Sequence, residues 1–308
     1  MSAIEIRNVT KRFGTLTAVN QLTLSVPERS IYGFIGPNGS GKTTTIRMIM
    51  NILLPDQGDI LVFGQGSHSQ IRDEVGYLPE ERGLYKRMTV RRVLRYYGQL
   101  KGRSLAQIDP LITQWLDRLQ LSEWADKKVQ ALSKGMSQKV QFISAIVFNP
   151  KLLILDEPFS GLDPVNADAL RDAVLEIRRR GTTVVFSTHD MSAAEKLCDR
   201  IFMIFKGNKV LDGTLDEIQS RYGQDTVRVR TAAGASALAG LAEVDGTTDH
   251  GNFQDVRLKG DPQAFLAKLA QATPVYHFEI AKPSLHDIFV SIAKPTAEEM
   301  KAPAGAAQ

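Results

Sequence analysis

The sequence predicts an α/β fold with a parallel core sheet, followed by a small α+β domain. One observation is an apolar run, Ile31–Ile35, which leads through a glycine-rich loop into a helix beginning at Lys42. A second is another apolar run, Lys151–Leu155, which ends in two carboxylates. Strands and helices then alternate to about residue 218, which favours parallel strands joined by crossover helices.

The loop after the first apolar run is the most specific motif. Residues 36–43 read Gly-Pro-Asn-Gly-Ser-Gly-Lys-Thr and fit the pattern G-x-x-x-x-G-K-[ST]. Glycines let backbone N–H groups point at phosphate oxygens, and the following helix presents its positive dipole end. A glycine-rich turn without a ligand is the alternative, but a chance match in this context is rare. The motif predicts a nucleoside triphosphate site formed by Gly36, Pro37, Asn38, Gly39, Ser40, Gly41, Lys42, Thr43 and Thr44.

Lysine, threonine and carboxylate side chains supply the remaining phosphate chemistry. Lys42 can reach the β- and γ-phosphates, and the Thr43 hydroxyl can bind Mg²⁺. Because ligands gather at the carboxyl ends of strands in open α/β sheets, Asp156 and Glu157 are expected beside the loop. Asp156 would hold Mg²⁺, and Glu157 would orient or deprotonate the attacking water. Many buried strands end in a charge, so the prediction of an ATP and Mg²⁺ site depends on both motifs together.

The order of these motifs resembles the ATP-binding subunit of ABC transporters over residues 3 to 220. Residues 132–136, Leu-Ser-Lys-Gly-Met, resemble the family signature, usually Leu-Ser-Gly-Gly-Gln, and depart from it at Lys134 and Met136. Ser133 is expected to cap the following helix, whereas Met136 cannot complete a capping box. The resemblance implies that Ser133 and Gly135 contact ATP held by a second subunit.

The resemblance also implies roles for single residues. Phe13 would stack on adenine, with a core phenylalanine as the alternative. Glu80, where most members have glutamine, would approach Mg²⁺ and the γ-phosphate but adds a negative charge. His189 follows the apolar strand Thr183–Thr188 and would contact the γ-phosphate, with a structural histidine as the alternative. Asp163 lies in a loop that would pack across a dimer.

Residues 77–85 and 283–289 resemble a bacterial subgroup of these ATPases that works with export permeases. This implies that two copies enclose two ATP molecules and drive a separate permease at the cytoplasmic side of the bacterial inner membrane. A homodimer is favoured over a heterodimer, and nucleic acid is not expected as a partner.

Two other functions stay open. A non-transport ABC ATPase acting on ribosomes or DNA usually carries two cassettes or a coiled-coil insertion, and this sequence shows one phosphate loop and no heptad insertion. A nucleotide-dependent binding switch with little turnover is disfavoured by Glu157 and His189, whereas Glu80, Lys134 and Met136 leave room for it.

Composition limits the remaining possibilities. The 308 residues are 43% hydrophobic and 23% charged, an ordinary globular balance. No apolar stretch approaches the roughly 20 residues of a membrane-spanning helix, and no signal peptide is recognised. The single cysteine, Cys198, is expected to be a buried hydrophobe in a reducing cytosol. The net charge is +4, and a cluster of cations over residues 86–95 fits either a membrane-facing patch or a solvated helix face.

The predicted domains are an ATP-binding domain over 1–222 and an α+β domain over 223–294. Within the first, residues 3 to about 82 would form a small antiparallel sheet and the first part of the parallel core, and residues at about 83–148 a helical subdomain. In the helical subdomain, residues at helical spacing such as Leu94, Leu100 and Trp115 are expected to pack in the core. The second domain follows a β-α-β-β-α-β order, which suggests a ferredoxin-like fold. Its histidines lack ligand-like spacing. The tail over 295–308 is expected to be disordered.

Overall fold

A computed structural model describes residues 1–66, 73–80, 83–222, 226–238 and 241–293. The chain divides into two compact units, Met1–Thr214 and Leu215–Gln308. This division precedes a short helix that the sequence assigns to the first domain. The helix belongs with the second unit because the Gln219 amide donates to the Pro283 carbonyl at 3.0 Å and Ile218 is fully buried. The tail over 295–308 lies outside the described residues.

The first unit contains ten strands and six α-helices among the described residues. The strands are β1 (Ser2–Phe13), β2 (Leu16–Pro27), β3 (Ile31–Ile35), β4 (Gln57–Val62), β5 (Gln65–Gly66), β6 (Val75–Leu78), β7 (Leu152–Asp156), β8 (Thr183–Thr188), β9 (Arg200–Phe205) and β10 (Asn208–Gly213). The helices are α1 (Lys42–Ile49), α2 (Val90–Leu100), α3 (Leu105–Arg118), α4 (Lys134–Ile146), α5 (Pro164–Arg179) and α6 (Met191–Leu197).

The central sheet has the strand order β10-β9-β3-β8-β7-β6, and all its pairs are parallel except β10 with β9. Strands β3, β7 and β8 are buried along their whole length, which explains their continuous apolar sequences. Since parallel strands end at the same edge, β3 enters the phosphate loop where β7 and β8 also end. The predicted parallel core is confirmed.

Two hydrophobic cores cover the faces of this sheet. Leu152 and Ile154 of β7 face a core shared with β1, β2 and β4, which form an antiparallel sheet of order β2-β1-β4-β5. Leu153 and Leu155 face the second core, which holds residues of α2, α3 and α4. The alternation follows from the two-residue period of a strand.

The helical region confirms most of the predicted packing, since Leu94 and Trp115 are buried. The expectation for Leu100 is wrong, because its side chain is 58% exposed. The buried stripe of α2 continues through Gly98, where an added Cβ would lie 2.8 Å from Ile108 Cδ1. Leu100 lies off that stripe, at the last residue of the helix.

The second unit forms a four-stranded antiparallel sheet of order β12-β13-β11-β14. This is a ferredoxin-like order, but the first predicted helix is a short 3-10 turn at Gly234–Leu238. Its elements are α7 (Leu215–Arg221), β11 (Thr226–Thr231), β12 (Val244–Asp249), β13 (Gln254–Leu258), α8 (Pro262–Ala272), β14 (Val275–Ala281) and α9 (Leu285–Ala293). The core of this sheet packs Val227, Val229 and Val256 against Phe265 and Leu269.

Candidate active site

The phosphate loop adopts backbone conformations that favour glycine. Gly36 has φ +148° and Gly41 has φ +114°, both in the left-handed region. A Cβ on Gly36 would lie 2.2 Å from the Ile204 carbonyl oxygen, and one on Gly41 would lie 2.5 Å from that of Ala18. Gly41 is the N-cap of α1 and provides no side-chain cap. The first N–H groups of α1 therefore offer an anion-binding end.

Lys42 is held at the base of this loop and is only 5% exposed. Its Nζ donates to the carbonyl oxygens of Gly36 at 2.7 Å and Pro37 at 3.2 Å, and lies 3.9 Å from Glu157 Oε1. Burial lowers the pKa of Lys42, and the charges of Glu157, Asp156 and Glu80 oppose that shift. The loop thus has one buried ammonium among three carboxylates.

Asp156 is fully buried at the end of β7. Its Oδ1 accepts a hydrogen bond from the Ser187 hydroxyl and lies 3.5 Å from Thr43 Oγ1. Its Oδ2 is buried and has no hydrogen-bond partner among the described residues. Such an oxygen costs free energy unless a ligand satisfies it. A carboxylate beside a hydroxyl is a donor set that suits Mg²⁺, so Asp156 and Thr43 could hold this ion.

Glu157 is the next residue and has φ +50°, a left-handed backbone conformation that is uncommon for residues other than glycine. Its Oε1 lies 3.0 Å from His189 Nδ1. The Glu157 side chain is 9% exposed and the His189 ring 55% exposed. The turn after β7 therefore holds an enclosed carboxylate against an accessible imidazole.

An open cleft of about 450 Å³ lies over the phosphate loop. Phe13 lines it and is 48% exposed, so the alternative of a core phenylalanine is wrong. The cleft includes Glu80, one of the predicted metal ligands, beside the loop. The lining residues are Phe13, Leu16, Ala18, Asn38, Gly39, Gly41, Lys42, Thr43, Thr44, Glu80 and Glu157.

The signature residues lie elsewhere in the first unit. Ser133 caps α4 by accepting from the Met136 N–H at 3.2 Å, so the predicted half of the capping box is confirmed. Asp163 caps α5, accepting from the Asn166 N–H at 3.0 Å. A Cβ on Gly135 would lie 3.0 Å from Asn166 Nδ2, so the two helix N-termini are neighbours. Among the described residues, the cleft lining includes none of Ser133, Gly135 and Asp163.

Comparisons with known proteins place this geometry in a family. A profile described as ABC transporter matches residues 19–160, and one described as the C-terminal domain of DrrA1-3-like ATP-binding proteins matches residues 213–293. The chain is 40% identical to an uncharacterized ABC transporter ATP-binding protein, YhaQ of Bacillus subtilis (strain 168), covering 93% of this chain and 97% of YhaQ. The chain belongs to the ABC transporter ATP-binding proteins.

Two further similarities extend over much of this ABC protein. The Nod factor export ATP-binding protein I of Burkholderia lata (strain ATCC 17760 / DSM 23089 / LMG 22485 / NCIMB 9086 / R18194 / 383) is 34% identical over 98% of this chain and 99% of its own. A solved structure of an ATP-binding subunit of an ABC transporter matches with a TM-score of 0.68 and 30% identity, covering 72% of this chain and 94% of that one. The resemblance drawn from the motifs is confirmed, including the C-terminal domain.

The family fixes the general activity. The protein is a nucleotide-binding ATP hydrolase that powers a separate permease, as ABC ATP-binding subunits do. No helix in the described part of the chain combines the length and hydropathy that a bilayer crossing needs.

Sequence reasoning missed two residues beside Asp156 in this ABC site. Ser187 of β8 pairs with Asp156 of β7. The sequence feature that could have identified it is a polar residue near the end of an apolar strand. Tyr77 lies close to Asp156, and burial, with Asp156 adding to it, raises the pKa of Tyr77 to about 12. The positive charge of Arg47 opposes this shift of the Tyr77 pKa.

Two other sequence features do not line the cleft. Arg95 of the basic cluster pairs with Asp109 at 2.7 Å and Arg91 with Asp126 at 3.7 Å, so carboxylates from other segments balance part of that charge. Cys198 packs beside Gly33, where a Cβ would lie 2.5 Å from its Sγ. Burial raises the pKa of the Cys198 thiol, as expected for a small hydrophobe.

Proposed function

We propose that this protein binds ATP with Mg²⁺ in the cleft and hydrolyses it between two copies of the chain. Lys42 and the N–H groups at the start of α1 bind the β- and γ-phosphates. Thr43 and the unpartnered Oδ2 of Asp156 hold Mg²⁺, which, when bound, neutralises phosphate charge. Glu80 lines the same cleft and would approach the ion and the γ-phosphate.

The observation that carries this proposal is the contact between Glu157 and His189 at the mouth of the phosphate loop. Glu157 accepts the proton of the attacking water, and His189 orients the Glu157 carboxylate and the γ-phosphate. Lys42 Nζ lies 3.9 Å from the same Glu157 oxygen, so the ammonium and the proposed base are neighbours. The groups that bind phosphate and the group that activates water therefore meet at one sheet edge.

A second copy supplies the rest of each site in this proposal. Ser133, Gly135 and Asp163 lie at two adjoining helix N-termini rather than in the cleft of their own chain. The N-termini of α4 and α5 favour binding of an anion. This supports contacts between Ser133, Gly135 and Asp163 and the ATP held by the partner. The exposed ring of Phe13 stacks on adenine. A homodimer is the simplest assembly because one chain carries both halves.

We further propose that closure of this dimer drives export through the permease. The full-length similarity to a Nod factor export ATP-binding protein supports the direction of transport. The protein would act at the cytoplasmic side of the bacterial inner membrane, attached through the permease. Residues 1–222 would carry the ATP chemistry, and residues 223–294 would adjust the contacts with the partner subunits. No nucleic acid is needed.

The substitution Glu157→Gln tests the proposed base. It keeps the size and hydrogen bonding of the side chain but removes the basic carboxylate, so the turnover rate should fall by about 10²–10⁴-fold. ATP binding should persist, because repulsion between Glu157 and the γ-phosphate is relieved. The matched control is Glu74→Gln, which removes a carboxylate paired with Lys151 at the opposite end of β7. Wild-type turnover in Glu157→Gln would assign the base elsewhere, with His189 the next candidate.

A further inference from the structure

A serine hydroxyl contacts both acidic residues of the site, the carboxylate of Asp156 and the backbone N–H of Glu157. Ser187 is fully buried near the end of β8, and the parallel register pairs it with Asp156. The preceding residues of this strand, Val184, Val185 and Phe186, are apolar and equally buried. A buried hydroxyl costs free energy unless it is hydrogen-bonded, so its partners indicate its role.

The hydroxyl uses both of its hydrogen-bonding capacities on the acidic pair. Its O–H donates to Asp156 Oδ1, and its oxygen accepts the N–H of Glu157 at 3.1 Å. The Glu157 N–H also reaches the Ser187 carbonyl oxygen at 3.2 Å. One side chain thus contacts two successive residues that the proposed function gives different tasks.

Each contact fixes a different part of the site. Donation to Oδ1 sets the rotation of the Asp156 carboxylate, which leaves Oδ2 as the oxygen without a partner among the described residues. Acceptance from the Glu157 N–H stabilises its backbone at φ +50°. That conformation places Glu157 Oε1 3.0 Å from His189 Nδ1.

We propose that Ser187 is a positioning residue that presents Asp156 Oδ2 to the metal ion and aims Glu157 at His189. The inference rests on the proposed function, since it takes Asp156 as the Mg²⁺ ligand and Glu157 as the base. Hydrogen bonds from neighbouring groups orient metal ligands, and losing one typically weakens metal affinity by about 10–100-fold. In this proposal Ser187 acts through the Asp156 carboxylate and the Glu157 backbone and touches neither nucleotide nor ion itself.

The same strand offers a matched control. Thr183, at the opposite end of β8, is also buried, and its hydroxyl accepts the Arg29 N–H at 2.8 Å. That contact joins two backbone segments and involves no carboxylate of the site. Thr183→Val removes a buried hydroxyl from the strand, and Ser187→Ala removes the one beside Asp156.

The experiment measures how Mg²⁺ supports binding of mant-ATP, a fluorescent ATP analogue, to the full chain. In Ser187→Ala the half-saturating Mg²⁺ concentration should rise by about 10–100-fold. Binding of mant-ATP in EDTA should be unchanged, because it does not use Asp156. Ser187→Thr keeps the hydroxyl and should stay near the wild-type Mg²⁺ dependence. Thr183→Val should not move this dependence, even where it lowers the unfolding temperature.

Asp156→Asn separates this inference from the function on which it rests. A shift in Asp156→Asn without one in Ser187→Ala overturns the role of Ser187 and leaves the metal site intact. The absence of a shift in both variants overturns the Mg²⁺ role of Asp156 as well. If Ser187→Ala does not fold, Ser187→Cys takes its place, since a thiol has nearly the same shape but is a weak donor. A wild-type Mg²⁺ dependence in a folded Ser187→Cys would overturn the inference equally.

Discussion

Charged side chains are buried at the carboxyl edge of the central sheet, whereas on the sheet of the second unit they lie near solvent and are paired. At the central edge Lys42, Asp156 and Glu157 are buried, and Asp156 Oδ2 lacks a partner among the described residues. In the second unit Arg228 forms two hydrogen bonds to Asp255, at 2.8 and 3.0 Å, on a half-exposed face. One region buries its acidic and basic side chains, and the other pairs them near water.

This difference indicates which of the two regions binds a ligand, because the central edge has a buried carboxylate oxygen that a ligand could satisfy. The Arg228 network also includes the Phe253 ring, 4.5 Å from the guanidinium carbon, and His250, 3.2 Å from Asp255. Such pairs near water make small contributions to the free energy of unfolding. At the central edge, Glu157 has a left-handed backbone conformation, and Asp156 Oδ2 lacks a hydrogen-bond partner among the described residues. Both features cost free energy in the protein alone, and a bound metal ion would offset the cost of the unsatisfied oxygen.

One cation from each region gives the largest contrast. Lys42→Ala removes a buried ammonium from the phosphate loop, and ATP affinity should fall on the order of 10–100-fold because a charge-assisted hydrogen bond is lost. Turnover should be lost with it. Arg228→Ala should leave ATP affinity unchanged and lower the free energy of unfolding by about 1 kcal/mol. Titration calorimetry and thermal unfolding measure the two effects. Near-wild-type hydrolysis in Lys42→Ala would remove the basis for the assignment.

A smaller effect is expected from the carboxylate of Glu80. It lines the cleft, and its charge acts on Lys42. Glu80→Gln should tighten ATP binding in EDTA by roughly several-fold, because one repulsion with the γ-phosphate disappears. Glu74→Gln, remote from the cleft, should change nothing. Equal affinity in Glu80→Gln and wild-type protein would show that Glu80 does not face the phosphates.

The sequence predicted the structure correctly where a motif and the hydrophobic periodicity indicated the same element. The phosphate loop, the strand ending in Asp156, and the Ser133 cap were predictable because glycine conformation, apolar runs and capping are local properties. Ser187 was not predictable, since its importance depends on the register between two strands far apart in sequence. The prediction for Leu100 was wrong for a related reason. Helical spacing identifies the apolar face of α2 but not the point at which neighbouring elements stop packing against that face.

The claim at the centre of the proposed function is that each chain carries only half of a nucleotide site. Size-exclusion chromatography with multi-angle light scattering on Glu157→Gln protein tests it directly, because this variant should retain bound ATP. With ATP and Mg²⁺ the mass should be that of a dimer, and without ATP that of a monomer. Adding Ser133→Ala to the same protein should reduce the dimer without abolishing ATP binding to the cleft. A Glu157→Gln protein that binds ATP and stays monomeric would contradict the claim.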